Sequence, residues 1–384
     1  MISNSTFEQF LISFRHDLHA HPELSKKEVR TTHKIREQLE LHQITILPLT
    51  LATGLVAEII GDYPGPTIVL RGDIDALPIQ EENDVAFRSV SHGIMHACGH
   101  DFHTTALLGA AIQLKKQTGN IYGRILFVFQ PAEEIGYGAA AIIETGLLNK
   151  ADAIFGWHND PTLPLGTVAS CHGAVTASVD AFDITITGRG SHAAKPNEGN
   201  DPFIITSQLI TAFQTIISRF LPSNTNAVVS ITQIHGGNNR NVIPEKVVLS
   251  GTVRAFDAKI VELIKQRMQQ LITGLAFTNE AIIELEWVEE FSPATNNHPE
   301  LTDFALQLAE LNGFTIEKME PLSIGEDFAN YQTVIPGAFV FIGSGSPYPL
   351  HHPQFKADDN ILLPITNYLF QLTLAAGQHP FKKL

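Results

Sequence analysis

The chain has 384 residues, more than one ordinary hydrophobic core requires, so two domains are expected. Its 44% hydrophobic and 17% charged residues exclude a disordered chain, and a formal charge of −15 argues against nucleic acid or an anionic membrane as partner, since both require a basic surface. Only two cysteines, Cys98 and Cys171, are present, which excludes a disulfide framework; no basic run precedes an apolar core at the start, and no apolar stretch of about 20 residues could span a bilayer, so a cytoplasmic protein is expected.

In chain order, residues 5–20 and 25–41 have helical apolar spacing, with Pro22 between them as a breaker. Residues 54–60 and 67–71 read as strands, 103–116 as a helix, 124–129 as a strand, and 153–157 as a short strand preceded by a further helix. Strands alternating with helices imply α/β architecture with a mostly parallel, buried sheet and flanking helices. The pattern changes at residues 179–188, which alternate strongly, as an antiparallel strand with one exposed face does. A helix over 202–220, strands over 227–234 and 246–256, a helix over 258–275 and a strand over 281–287 complete a β-α-β-β-α-β order, that of a ferredoxin-like α+β module inserted at 177–293. A helix over 299–312, a buried strand over 338–343 and a helix over 362–376 resume the first domain, giving a catalytic domain of 1–176 and 294–384.

Four of the apolar strands run directly into polar residues. Asp73 and Asp75 follow the first, Glu133-Glu134 the second and His158-Asn159 the third, while a short loop leads from the fourth to His351-His352. In open parallel sheets, sites form outside the carboxyl ends of strands, so these motifs are expected to meet at one edge. A fifth motif, HACGHDFH at 96–103, opens the next helix. Thiolate, imidazole and carboxylate are good ligands for first-row divalent metals, and the candidates outnumber the four ligands of one zinc, which points to two ions. Of the adjacent Glu133 and Glu134, one can ligate while the other serves as general base, and Asp75 can orient a ligand from behind. Blander roles fall to several neighbours. His16, His19 and His21 read as packing or supporting residues, Cys171 as core, and Asp73 as a hydrogen-bonding residue of its own loop. The roles of His103 and His352 stay open.

RGDIDALPIQE, HACGHDFHT, FQPAEE, GWHN, GRGSHAAKP, NVIP, IGEDFANY and LHHPQF, in this order, resemble the amidohydrolase branch of the aminoacylase/carboxypeptidase metallopeptidase family. That branch includes hippurate hydrolases, plant auxin-conjugate hydrolases and N-acetyl-diaminopimelate deacetylases. The resemblance runs from about Arg15 to about Asp359. It implies a zinc-exopeptidase-like catalytic domain with an inserted lid and dimerisation domain. It also implies two divalent ions per subunit, manganese or zinc, with cobalt or nickel as alternatives. Cys98 matches the bridging thiolate, and His100, Glu134, His158 and His351 match the other ligands. Glu133 matches the general base, which takes a proton from the bridging water and delivers it to the leaving amine, and Asp75 the supporting aspartate. His192 matches a histidine that in relatives steadies the oxyanion across a dimer interface. Asn241 and Arg254 are implied contacts to the substrate carbonyl and carboxylate, together with the backbone around Gly325; Ile324 stands where that motif more commonly has glycine.

The expected reaction is hydrolysis of the amide bond of small N-acyl amino acids, N-acetyl ones foremost. Three alternatives remain: a di- or aminopeptidase with the same metal centre, an N-acetyl-diaminopimelate deacetylase of lysine biosynthesis, and a non-catalytic metal- or ligand-binding module. A homodimer through the inserted domain is also expected, on the grounds that the alternating strand 179–188 is prone to lie at an edge.

Overall fold

The structure is a computed structural model that describes residues 4–288, 292–379 and 381. Helices α1 (Asn4–Ala20) and α2 (Val29–Leu41) open the chain. The second begins at Val29 rather than at residue 25, because Leu24 bridges to Ala76 and Lys26 takes a left-handed φ of 65°. There follow β1 (Thr45–Ile46), β2 (Leu55–Ile60), β3 (Tyr63–Asp73), α3 (His100–Lys115), β4 (Tyr122–Gln130), α4 (Gly138–Glu144), β5 (Ala153–Asp160), β6 (Thr167–Ser170) and β7 (Gly173–Thr176). The middle of the chain forms β8 (Asp180–Thr187), β9 (Ser191–His192), α5 (Pro202–Thr215), β10 (Ala227–Gly236), β11 (Val242–Ile243), β12 (Lys246–Ala255), α6 (Ala258–Thr278) and β13 (Ile282–Trp287). The last part gives β14 (Thr295–Asn297), α7 (Pro299–Leu311), β15 (Thr315–Lys318), α8 (Phe328–Gln332), β16 (Gly337–Gly343) and α9 (Leu362–Gln378).

These elements separate into two compact units. The first takes the chain up to Val175, Thr295–Glu320 and the chain from Asp327 onward; the second takes Thr176–Ala294 and Pro321–Glu326.

The first unit is built on an eight-stranded sheet in the order β1-β2-β4-β3-β5-β16-β6-β15. Its centre, β4-β3-β5-β16, is wholly parallel, while β1, β2 and the β16–β6 pair are antiparallel. β5 and β16 are buried along their whole length, as strands covered on both faces are, and their continuous apolar runs follow from that. Helix α3 is buried on almost every side, packed against β3, α1 and α9.

The second unit is a four-stranded antiparallel sheet in the order β10-β12-β8-β13. With β8, β10, β12 and β13 as first to fourth strands, this is the ferredoxin-like arrangement. Phe182, Ile184 and Ile186 of β8 alternate inward and meet Leu209 and Phe213 of α5 and Ile264 and Met268 of α6. Both helices start on an aspartate cap: Asp201 accepts from Phe203 N and Asp257 from Lys259 N. The alternating segment 179–188, expected at an edge, lies in the middle of the sheet between β12 and β13; the edges are β10 and β13.

Candidate metal centre

Because β4, β3, β5 and β16 run parallel, their carboxyl ends line one edge of the first unit's sheet, and each delivers polar residues there. β3 ends in Asp73 with Asp75 just beyond, β4 leads into Glu133 and Glu134, and β5 carries His158 and Asn159 near its end. The loop after β16 reaches His351, and the first turn of α3 brings His100. Two loop residues there hold left-handed backbone, Ala132 at φ 54° and His351 at φ 62°, a strain that the surrounding contacts must sustain.

The ring orientations are set from behind. His100 donates its Nδ1 hydrogen to Asp75 Oδ1 at 3.1 Å, which turns Nε2 toward the site. Asp75 also accepts from Ser25 Oγ at 2.7 Å and from Glu134 N at 3.1 Å, so one carboxylate ties α3 and the glutamate loop together. His158 donates Nδ1–H to its neighbour's carbonyl, Asn159 O, at 2.7 Å, and its Nε2 lies 3.3 Å from Cys98 Sγ. His100 Nε2 is 3.8 Å from Glu134 Oε1 and 4.0 Å from Glu133 Oε2, and His351 Nε2 is 3.6 Å from Glu134 Oε2.

Two atoms reveal what the site fits. Among the described residues, His100 Nε2 and Glu134 Oε1 are buried without a hydrogen-bond partner, though polar groups out of water are almost always paired. They face each other among Cys98, Glu133, His158 and His351. Ligand-bearing groups within 4.8 Å of one another include Cys98–His100–His158, Cys98–Glu134–His351 and His100–Glu133–Glu134. The three sets share members, as ligands of neighbouring ions do.

Electrostatics point the same way. Burial, and then the Glu134 carboxylate, pushes the Cys98 thiol well above its ordinary value. Burial pushes Glu134 up to about 7 despite the pull of His100. Burial lowers His351, helped by repulsion from His100 and His158. Protein groups alone thus hold the thiol protonated and disfavour the charged form of Glu134, and a bound divalent cation inverts that logic, since a coordinating thiol is deprotonated outright. The donor set therefore fits divalent metal.

The remaining expected residues lie in the second unit. His192 is exposed on β9 opposite Val242, and Ala193 N donates to Asn241 O at 3.0 Å, so the two share one rim. This rim borders an open depression of about 730 Å³ lined by Ser191, His192, Asn241 and Glu245 among others. Arg254 is part-buried, and its Nη1 finds no hydrogen-bond partner among the described residues. A Cβ at Gly325 would collide with Val179 and lie 3.7 Å from that same Nη1.

Further residues hold the site from behind, and of these Glu28 stands outside every motif. Glu28 Oε1 accepts from Ala132 N at 2.8 Å and so holds the left-handed turn ahead of Glu133. Arg71, fully buried, joins Asp73 (2.7 Å), Asp327 (2.8 Å) and Gln130 (2.8 Å). Asp73, expected to bond only its own loop, also accepts from His103 Nδ1 at 2.6 Å. His352 stacks on Tyr348 at 4.7 Å and accepts from Gln354 N, a loop-holding role beside His351. Cys171, expected in the core, is half-buried next to a turn.

Residues 69–375 match the model of peptidase family M20/M25/M40. The chain is 42% identical to N-acetylcysteine deacetylase of Bacillus subtilis (strain 168), over 97% of this chain and 98% of that one. It is 37% identical to IAA-amino acid hydrolase ILR1-like 4 of Arabidopsis thaliana, over 94% of this chain and 84% of that one. Among solved structures, it superposes with a TM-score of 0.89 on a Bacillus subtilis protein described as a dinuclear metal binding peptidase of the M20 family, at 40% identity, covering 98% of this chain and 99% of that one.

Proposed function

The chain belongs to peptidase family M20/M25/M40 and is a metal-dependent amide hydrolase, and from that premise we propose that it removes the acyl group, acetyl foremost, from small N-acyl amino acids. The observation that carries this reading is the facing pair of unpartnered buried atoms, His100 Nε2 and Glu134 Oε1, with a second carboxylate, Glu133, beside them. The relatives support the substrate class: one deacetylates N-acetylcysteine and another hydrolyses IAA-amino acids.

On this reading Cys98, His100, Glu134, His158 and His351 hold two divalent ions, manganese or zinc, with cobalt or nickel as alternatives. Bound there, the ions would polarise the scissile carbonyl and lower the pKa of a water. Asp75 holds the Nδ1 hydrogen of His100, so that Nε2 is the atom turned toward the ions. Glu133 takes a proton from the attacking water and returns it to the departing amine. Arg254, whose Nη1 has no hydrogen-bond partner among the described residues, suits the substrate carboxylate, with the backbone at Gly325 beside it. Asn241 suits the substrate carbonyl, and His192 the developing oxyanion.

The same reading includes a homodimer through the second unit. Of its two edge strands, β13 carries Glu284 and Glu286, charges that discourage strand addition, whereas β10 has no acidic or basic side chain other than His235. β10 is therefore the edge assigned to a second copy.

The test is amine release from a panel of N-acetyl amino acids, N-acetylcysteine and N-acetyl-diaminopimelate included, with unblocked dipeptides alongside. The enzyme is stripped of metal and reloaded with manganese or zinc. Metal-dependent release from the acylated compounds is expected. Turnover of the unblocked dipeptides alone would replace this reading with that of a peptidase. No turnover on fully loaded protein would leave a binding module.

A further inference from the structure

His103 and Asn159 are not among the residues assigned to hold metal, yet both are buried within reach of residues that are. The hydrogen-bond polarity between them is determined. Asn159 N–H, which can only donate, points at His103 Nε2 at 3.1 Å, so Nε2 must carry a lone pair. The proton of His103 then sits on Nδ1 and is donated to Asp73 Oδ1 at 2.6 Å. Asp73 is itself held by Arg71 Nη1 at 2.7 Å.

The side chain of Asn159 continues the chain of bonds. Its carboxamide faces Cys98 O at 2.5 Å and His103 Nε2 at 3.1 Å. Both of those atoms are acceptors, so the amide must present Nδ2 to them; the flipped amide would set oxygen against oxygen. A separate observation shows that the backbone makes room for the same Nδ2. Gly99 has a φ of 91°, and a Cβ built there would collide with the Asn159 side chain. The Cys98–Gly99 turn is thus shaped around this amide, immediately before helix α3 begins with His100.

We propose that Asn159 is a positioning residue for the metal centre: oriented by the neutral, Nδ1-protonated ring of His103 and the Asp73–Arg71 pair behind it, its amide grips the Cys98 carbonyl and so sets where the Cys98 thiolate is presented. The proposal rests on the reading of Cys98 as a metal ligand and adds the part that places it. Orienting partners behind metal ligands typically change metal affinity by roughly 10- to 100-fold when lost.

The experiment is cobalt loading of the full chain, read by near-ultraviolet thiolate-to-cobalt absorption. The Cys98→Ser variant assigns the band. Asn159→Leu preserves side-chain volume and removes the amide. It is expected to keep the circular dichroism of the wild type, to lose most of the thiolate band, and to bind cobalt roughly 10- to 100-fold more weakly. An unchanged band and affinity in Asn159→Leu overturns this proposal alone. A wild type with full cobalt content and no thiolate band overturns the metal role of Cys98, and this proposal with it. Should Asn159→Leu fail to fold, the imidazole nitrogen-15 shifts of His103 in zinc-loaded wild type decide: a proton on Nδ1 supports the proposal, and a proton on Nε2 overturns it.

Discussion

His19 of α1 is enclosed between two carboxylates, with Nδ1 3.0 Å from Asp101 Oδ2 and Nε2 3.1 Å from Glu81 Oε1. Burial opposes its charge, but the attraction and hydrogen bond of Asp101, joined by Glu81, prevail and raise its pKa to about 9. A histidine whose folded pKa is raised contributes its full stabilisation below its unfolded pKa of about 6.5 and loses it as pH rises through the folded value. Metal-stripped protein should therefore become easier to unfold in urea between about pH 6.5 and 9, by at most roughly 3 kcal/mol. His19→Gln should flatten that slope, and an equally steep variant would show that His19 is not its source. At the same scale the two adjacent glutamates have separable roles. Glu133→Gln should keep full metal content and lose about 10²- to 10⁴-fold in turnover, while Glu134→Gln should lose metal. Identical metal contents in the two variants would refute the division between base and ligand.

Gly99 and Gly93 both hold positive φ, 91° and 74°, but only Gly99 has a neighbour where a Cβ would go. Gly93→Ala should cost only the left-handed backbone penalty, roughly 1–2 kcal/mol, whereas Gly99→Ala must also displace the Asn159 amide from the Cys98–Gly99 turn. Titration calorimetry with zinc should show weakened binding for Gly99→Ala and unchanged binding for Gly93→Ala; equal losses would remove the steric argument. The long elements were legible in the sequence because their apolar periods are sustained: α1, α6, β8 and β12 all stand where the spacing puts them. The four-residue β6 and β15 were not, since so few residues in turn-rich stretches display no period. The alternation of β8 suggests an edge. It reports instead that one face of the strand packs on α5 and α6 while the other does not, and it carries no information about neighbours within the sheet. The true edge supplies its own test. Ile234, half-exposed on β10, becomes a buried cross-strand residue if a second copy adds there, so Ile234→Lys should halve the mass measured by light scattering. A wild type with the mass of one chain would dispose of the dimer. In the site, residues in contiguous motifs such as Cys98, His100 and Glu134 could be singled out from the sequence. Glu28 could not, because it supports Ala132 from 104 positions away, and no local spacing announces such a bond.

Each unit has its own hydrophobic core, and every residue assigned to metal belongs to the first. Metal that binds only the folded state stabilises it by mass action, by about 4 kcal/mol when free metal is 1,000 times its dissociation constant. That stabilisation acts on the unit whose folding assembles the ligands. The chain's two tryptophans report the units separately. Trp157 lies in β5, its ring edge-on to His103 at 4.4 Å, so it senses the first unit close to the ligands. Trp287 lies in β13 against Phe182 at 5.6 Å, partly buried against the core of the second. In Trp287→Phe the remaining fluorescence follows Trp157, and removing metal with a chelator should lower its melting temperature by several degrees. In Trp157→Phe it follows Trp287, and the chelator should leave that melting temperature in place. If both probes fell together, the two cores would unfold as one cooperative body, and metal bound by the first unit would be stabilising the whole chain.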